Sequence, residues 1–266
     1  MTRGVRSAEG QVMSGYSKEE IRRVTSAYDF SATLTAAMEI HPMMRRALRR
    51  DVATPEDYVH AAAIVAMKYR FAAFAGWPFQ LEWMKKYLTA EFPKKQMVVN
   101  FPYGTDPLDV ALGQMKWGLD RGAEEIDSVV PVQFAQSGDF AAVGRYAKAL
   151  QDAARPYGVQ VKSIIRIGDL MKTEDDARTL SKVIGAAKAV ATAGGAFVKT
   201  CTGFADGKAT VRIVSAIKEA VAGTPTKVKA SGGITCIGDA LALLDAGADR
   251  LAGKWPIVLE LEALGV

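Results

Sequence analysis

The feature that most constrains this chain is an alternation that recurs from residue 97 to the C-terminal region. A short apolar run is followed by a glycine or polar turn, then by a longer segment of helical periodicity. The short runs are 97–101, 125–130, 160–165, 196–200, 227–230 and 250–252, and the helical segments after them include 140–157, 173–193 and 211–222. Runs rich in Val, Ile and Phe without alternation to polar residues suit strands buried on both faces, as in parallel sheets. Their regular spacing between helices gives βα units. Upstream, 71–76 (FAAFAG) has the same character, and Thr54-Pro55-Glu56-Asp57 opens the helix before it, with Pro at the first helical position. Thr173 with Glu174, Asp175 and Asp176 is a second start signal, its acids placed where the helix dipole favours them. Seven strands follow, and 28–34 is a candidate for the first of eight.

Seven or eight such units in 266 residues fit a (β/α)8 barrel better than an open doubly wound sheet, which would carry an early GxGxxG that is missing here. No Pro-, Gly- or Ser-rich linker divides the chain. The expected organisation is a barrel over 51–266 preceded by an N-terminal, helical extension over 1–50, with the first strand a candidate within 28–34. The extension holds the strongest charge block, Arg45, Arg46, Arg49 and Arg50.

Composition narrows the function. Formal charge is +5, from 34 basic and 29 acidic residues, which suits an anionic substrate as well as nucleic acid. Aromatic residues are only 8% of the chain, so no stacking platform for bases is evident. The longest apolar stretch is far shorter than the ~20 residues of a membrane-spanning helix. Two cysteines, Cys201 and Cys236, and two histidines, His41 and His60, lack the spacing of a disulfide framework or a zinc site. The expectation is a soluble protein of a reducing compartment, the cytoplasm, with no metal.

In a barrel the chemistry lies at the C-terminal strand ends, so polar residues interrupting the apolar runs are the candidates. Lys199 and Lys229 lie thirty residues apart, one βα repeat, and should stand at similar height on adjacent strands. Two ammonium groups in one dry cavity oppose each other's charge, and desolvation acts the same way. A lysine made neutral near pH 7 can attack a carbonyl and form a Schiff base. Asp127, inside the run 125–130, could relay protons. The plainer reading is that each lysine reaches solvent and Asp127 pairs with one of them. Glycine turns follow both lysine runs: Thr202-Gly203, and Ser231-Gly232-Gly233 before a helix whose expected cap is Thr235. Such turns expose N–H groups to anions, or simply make tight connections. Cys201 is expected to be a small buried hydrophobe and His60 a packed residue at the start of an apolar helix.

These residues carry a likeness. The segments FVKTCTGF (197–204) and VKASGGI (228–234) resemble the two lysine strands of the deoxyribose-phosphate aldolase family, class I aldolases with a (β/α)8 fold. GAEEID (122–127), NFPYG (100–104) and SGD (137–139) are similar as well, in the same order, and the likeness runs from about residue 54 to 253. The resemblance implies reversible cleavage of 2-deoxyribose 5-phosphate to glyceraldehyde 3-phosphate and acetaldehyde, without metal or organic cofactor. It makes Lys199 the Schiff-base nucleophile, Lys229 the lysine that tunes it and Asp127 the acid/base residue. Thr202, Gly203, Gly232 and Gly233 fall on the side of the substrate phosphate. It also implies a small phosphorylated partner and a homo-oligomer.

Three departures bear on the acceptor aldehyde. Lys254 stands where the family has a serine of the phosphate loop, and Arg166 stands where its fifth strand ends in Glu-Thr. The run 29–34 (DFSATL) is the best match to a substrate-binding Asp-x-Thr-x-Leu strand, making Asp29 a candidate for contact with substrate hydroxyls. Two alternatives to the family reaction follow. One is the same iminium chemistry on a different, non-phosphorylated or otherwise anionic, aldehyde. The other is binding of nucleic acid or an acidic membrane through Arg45–Arg50 with no catalysis, against which stands the lack of a basic stripe elsewhere.

Overall fold

The computed structural model describes residues 15–33, 42–171, 177–204 and 207–266. Eight parallel strands close on themselves in chain order: β1 (Tyr28–Ser31), β2 (Ala73–Gly76), β3 (Lys94–Val99), β4 (Glu125–Val129), β5 (Gln160–Ile164), β6 (Phe197–Lys199), β7 (Lys227–Ser231) and β8 (Arg250–Gly253). β8 pairs with β1 and completes a (β/α)8 barrel.

The barrel begins upstream of residue 51. β1 is an integral strand, and the helix Lys18–Ala27 before it is fixed by a Ser17–Glu20 capping box and buries Ile21, Val24 and Ala27. Residues 18–31 therefore belong to the barrel, and the division at residue 50 separates no two units. Phe30 shows why: its ring packs on Phe71, Phe74 and Trp255, so β1 is held by the helix that follows β8 as well as by β2. The helix Pro55–Lys68 starts at Thr54 with a reciprocal capping box to Asp57. The start signal at 173–176 lies outside the described residues; its helix is described from Ala177 to Thr192.

The strands differ from the expected uniform apolar runs. Glu125-Ile-Asp, Gln160-Val-Lys, Lys227-Val-Lys and Arg250-Leu all alternate. Outward-facing Ile126, Val161, Val198, Val228 and Leu251 join the apolar layer beneath the helices. Gln160 and Lys227, at the strand starts, are exposed, but the polar alternates further along point to the barrel axis, where Gln96, Asp127, Lys162 and Lys229 are fully buried.

Candidate active site

Register sets the centre of the site. Lys199 on β6 lies directly beside Lys229 on β7. Just above them Thr200 ties the two strands, its hydroxyl donating to the Ser231 carbonyl and accepting from the Ser231 N–H, each at 2.8 Å. Both lysine side chains converge on one oxygen: Lys199 Nζ donates to Asp127 Oδ2 at 2.5 Å and Lys229 Nζ to the same atom at 2.9 Å. Lys229 also reaches Asp29 Oδ2 at 2.6 Å and Gln96 Oε1 at 3.2 Å.

The two lysines are driven in opposite directions. Burial lowers the Lys199 pKa, Lys229 adds to that, and Asp127 only partly opposes it; the balance lies below the ordinary lysine value. Burial alone would lower Lys229 too, but Asp127 and Asp29 together outweigh it and the group is raised. Burial works against ionisation of Asp127, yet Lys199, Lys229 and Lys162 hold it well below the usual carboxylate range.

A second tier lies deeper along the axis. Lys162, with no exposed side-chain surface, donates to Glu125 Oε2 at 2.6 Å and Gln96 Oε1 at 2.8 Å, with Asp127 Oδ1 at 3.8 Å. Arg250 bonds Glu125 at 3.0 Å and pairs with Asp29. Sequence reasoning passed over Lys162, Glu125, Gln96 and Arg250. The signal was the polar parity itself: Lys162 is the register partner of Asp127, and Arg250 of Lys229.

Above the lysines a cavity of about 430 Å³ opens at the C-terminal strand ends. Lys199, Lys229, Thr202, Gly203, Gly232, Gly233 and Lys254 all line it. Gly232 has φ +94°, and a Cβ there would stand 2.8 Å from the Gly207 carbonyl oxygen, so only glycine fits this turn. Lys254 lies at the far end with its Nζ 5.4 Å from the Phe204 ring centroid. Phe204 forms an edge-to-face trio with Phe101 and Trp77.

Other candidates are placed differently. Asp29 does not reach the cavity; it is fully buried beneath Lys229 and spent on Lys229 and Arg250. From the same strand face it is Ser31 and Thr33, hydroxyls 2.7 Å apart, that line the cavity. Arg166 does not line it either, since its left-handed backbone (φ +50°) turns the guanidinium to Asp169, the Pro102 carbonyl at 2.5 Å and Thr202 at 3.5 Å. The helix after β7 is capped by Cys236, whose sulfur accepts from the Asp239 N–H at 3.3 Å, rather than by Thr235. Cys201 is buried, and His60 stacks on Tyr87 at 4.0 Å. His41 lies outside the described residues. The arginine block faces carboxylates: Arg45 meets Asp51 at 3.4 Å, Arg46 meets Glu262, and Arg50 meets Asp57 at 2.5 Å. No helix among the described residues is long and apolar enough to cross a membrane.

Fold and site together define a class: a (β/α)8 barrel whose C-terminal cavity is floored by paired amines on a shared carboxylate. The chain belongs to the DeoC/LacD aldolase family, whose model matches residues 46–253. Among its relatives, the deoxyribose-phosphate aldolase of Thermococcus gammatolerans is 34% identical over 201 residues, covering 75% of this chain and 85% of that one. That of Desulfitobacterium hafniense (strain DSM 10664 / DCB-2) is 33% identical over 214 residues, covering 80% and 94%. Among solved structures, the tetrameric deoxyribose phosphate aldolase of Aeropyrum pernix shares the fold, with a TM-score of 0.71 at 24% identity over 94% of this chain and 99% of that one. The chain is thus an aldolase, an aldehyde-lyase.

Proposed function

We propose that this aldolase cleaves 2-deoxy-D-ribose 5-phosphate reversibly to D-glyceraldehyde 3-phosphate and acetaldehyde through a Schiff base on Lys199. The observation that carries the reading is the shared Asp127 oxygen beneath the cavity, with Lys199 lowered and Lys229 raised. A neutral Lys199 amine adds to the aldehyde carbon of the open-chain sugar, and loss of water from the carbinolamine leaves the iminium. The C2–C3 bond then breaks, its electron pair passing into the iminium to give an enamine as the C3 hydroxyl loses its proton. Protonation of the enamine at C2 and hydrolysis release acetaldehyde and restore the amine. Lys229 and Asp127 are the groups at hand to exchange those protons, directly or through water.

Lys254, Gly232 and Gly233 serve the phosphate end, and Ser31 and Thr33 stand ready for substrate hydroxyls. Arg166, engaged by protein groups, is outside this reading. A homo-oligomer, as the tetrameric Aeropyrum pernix aldolase is, and a reducing compartment such as the cytoplasm, which suits two cysteines outside any disulfide, complete it. The pairing of Arg45, Arg46 and Arg50 with carboxylates counts against nucleic-acid binding by that block. Borohydride reduction in the presence of acetaldehyde, followed by peptide mass mapping, is the direct test: one reduced adduct on Lys199 is expected, and its absence overturns the Schiff base.

A further inference from the structure

The barrel axis carries an unequal set of charges. Lys162, Lys199, Lys229 and Arg250 face three carboxylates, Asp29, Glu125 and Asp127, with Gln96 as the neutral member between them. A dry interior tolerates paired charge far better than a surplus. The electrically balanced arrangement therefore lacks one proton, and the question is which base goes without.

Coordination answers it. An ammonium has three protons to place. Lys162 donates to Glu125 and Gln96 and lies 3.8 Å from the far oxygen of Asp127. Lys229 has Asp29, Asp127 and Gln96. Lys199 has Asp127 alone among the described residues, on an oxygen it shares with Lys229. Arg250 is a guanidinium that keeps its proton in any protein setting. The base with least to lose is Lys199.

We infer that Lys162 is a positioning residue for Lys199: held charged by Glu125 and Gln96 and pressing on the far oxygen of Asp127, it leaves Lys199 as the one amine of the axis without a proton. This rests on the Schiff-base reading above and extends it one tier deeper, past the lysine pair. Burial lowers both Lys162 and Lys199, opposed chiefly by Glu125 for the first and Asp127 for the second, so it is the hydrogen bonding that separates them: two acceptors for Lys162 against one shared oxygen for Lys199. The charged groups that share the axis with Lys199 come from five other strands: Asp29 on β1, Glu125 and Asp127 on β4, Lys162 on β5, Lys229 on β7 and Arg250 on β8.

The test is the pH dependence of borohydride trapping with acetaldehyde, measured on the full chain for wild type, Lys162→Met, Glu125→Gln and the double variant. Lys162→Met removes one cation, frees Asp127 for Lys199, and leaves Glu125 its bond to Arg250 and Gln96 Oε1 its bond to Lys229. The midpoint of trapping moves up by about one pH unit, roughly tenfold slower trapping on the acid limb. Adding Glu125→Gln removes one carboxylate, restores the surplus of bases and brings the midpoint back toward wild type. Glu125→Gln alone does not raise it. Structural damage cannot produce this pattern, because the double variant is the more heavily altered protein and has the more normal profile. An unshifted midpoint in Lys162→Met, or a double variant no closer to wild type than the single, overturns the inference. No adduct on Lys199 in the wild type overturns the Schiff-base reading itself.

Discussion

The two surfaces of one sheet do different work. Along β4 to β8, side chains one residue apart alternate between an outer layer of Ile126, Val161, Val198, Val228 and Leu251 and an inner column of Asp127, Lys162, Lys199, Lys229 and Arg250. The outer surface is ordinary barrel material, apolar area removed from water under the helices. A barrel interior is ordinarily filled by Val, Ile and Leu. Here that filling is replaced by ion pairs, which add little to stability against apolar packing and cost heavily when one member is removed. The difference teaches that the outer surface holds the fold, while the inner column sets protonation states at the price of packing.

Changes on either surface should therefore fail in different assays. The largest effect is expected for Lys199→Ala, which removes the proposed nucleophile while leaving the outer layer whole and Asp127 still paired with Lys229: turnover falls by at least about a thousandfold and the borohydride adduct disappears. Ile126→Ala breaks the other side. It deletes a fully buried side chain next to Asp127 in sequence and should cost about 2–5 kcal/mol in denaturant unfolding. Surviving folded enzyme should trap acetaldehyde with an unshifted pH midpoint. Lys229→Leu separates charge from volume. It takes from Lys199 the neighbouring cation that helps lower it, so Lys199 keeps its proton to higher pH. Because only the neutral amine attacks, trapping and turnover near pH 7 should fall, by about a hundredfold, and the acid limb of the profile should move upward. A midpoint that stays in place would mean that burial alone governs Lys199.

What could be read from the chain follows the same division. The βα rhythm, the strand positions and the thirty-residue spacing of the two lysines were legible because strand–helix alternation and register are local properties. β6 and β7 do set Lys199 beside Lys229. The inner column was only half legible. Lys162 and Arg250 interrupt apolar runs just as Lys199 does, but the polar member of an alternating strand ordinarily faces solvent, and only barrel closure turns it to the axis. Asp29 shows the limit of a motif match: its strand was recognised, yet its height in the barrel puts it under Lys229 and leaves Ser31 and Thr33 at the cavity. Arg166 was illegible for a different reason. Its positive φ redirects the side chain, and no spacing rule announces a left-handed arginine.

The smallest of the expected effects concerns the far end of the cavity, where the inner column gives way to a rim. Of the lysines lining it, Lys199 and Lys229 are committed to Asp127, which leaves Lys254 to meet an anion. The helix Trp255–Ala263 begins there, but Pro256 in its first turn has no N–H to offer, so the backbone contributes less than at an ordinary helix start. On the proposed reading, a point charge on a flexible stem, 5.4 Å from the Phe204 ring centroid, then supplies most of the attraction for a phosphate. Lys254→Met keeps the apolar stem over that ring and removes only the charge. It should raise KM for 2-deoxyribose 5-phosphate by about tenfold, leave kcat within a factor of about two, and leave kcat/KM for unphosphorylated 2-deoxyribose unchanged. Equal losses on both substrates would place Lys254 in the structural rim, with the phosphate held by the Gly232–Gly233 turn alone. The pH midpoint of trapping should not move in either case, because the rim lies outside the set of charges that decides where the missing proton is.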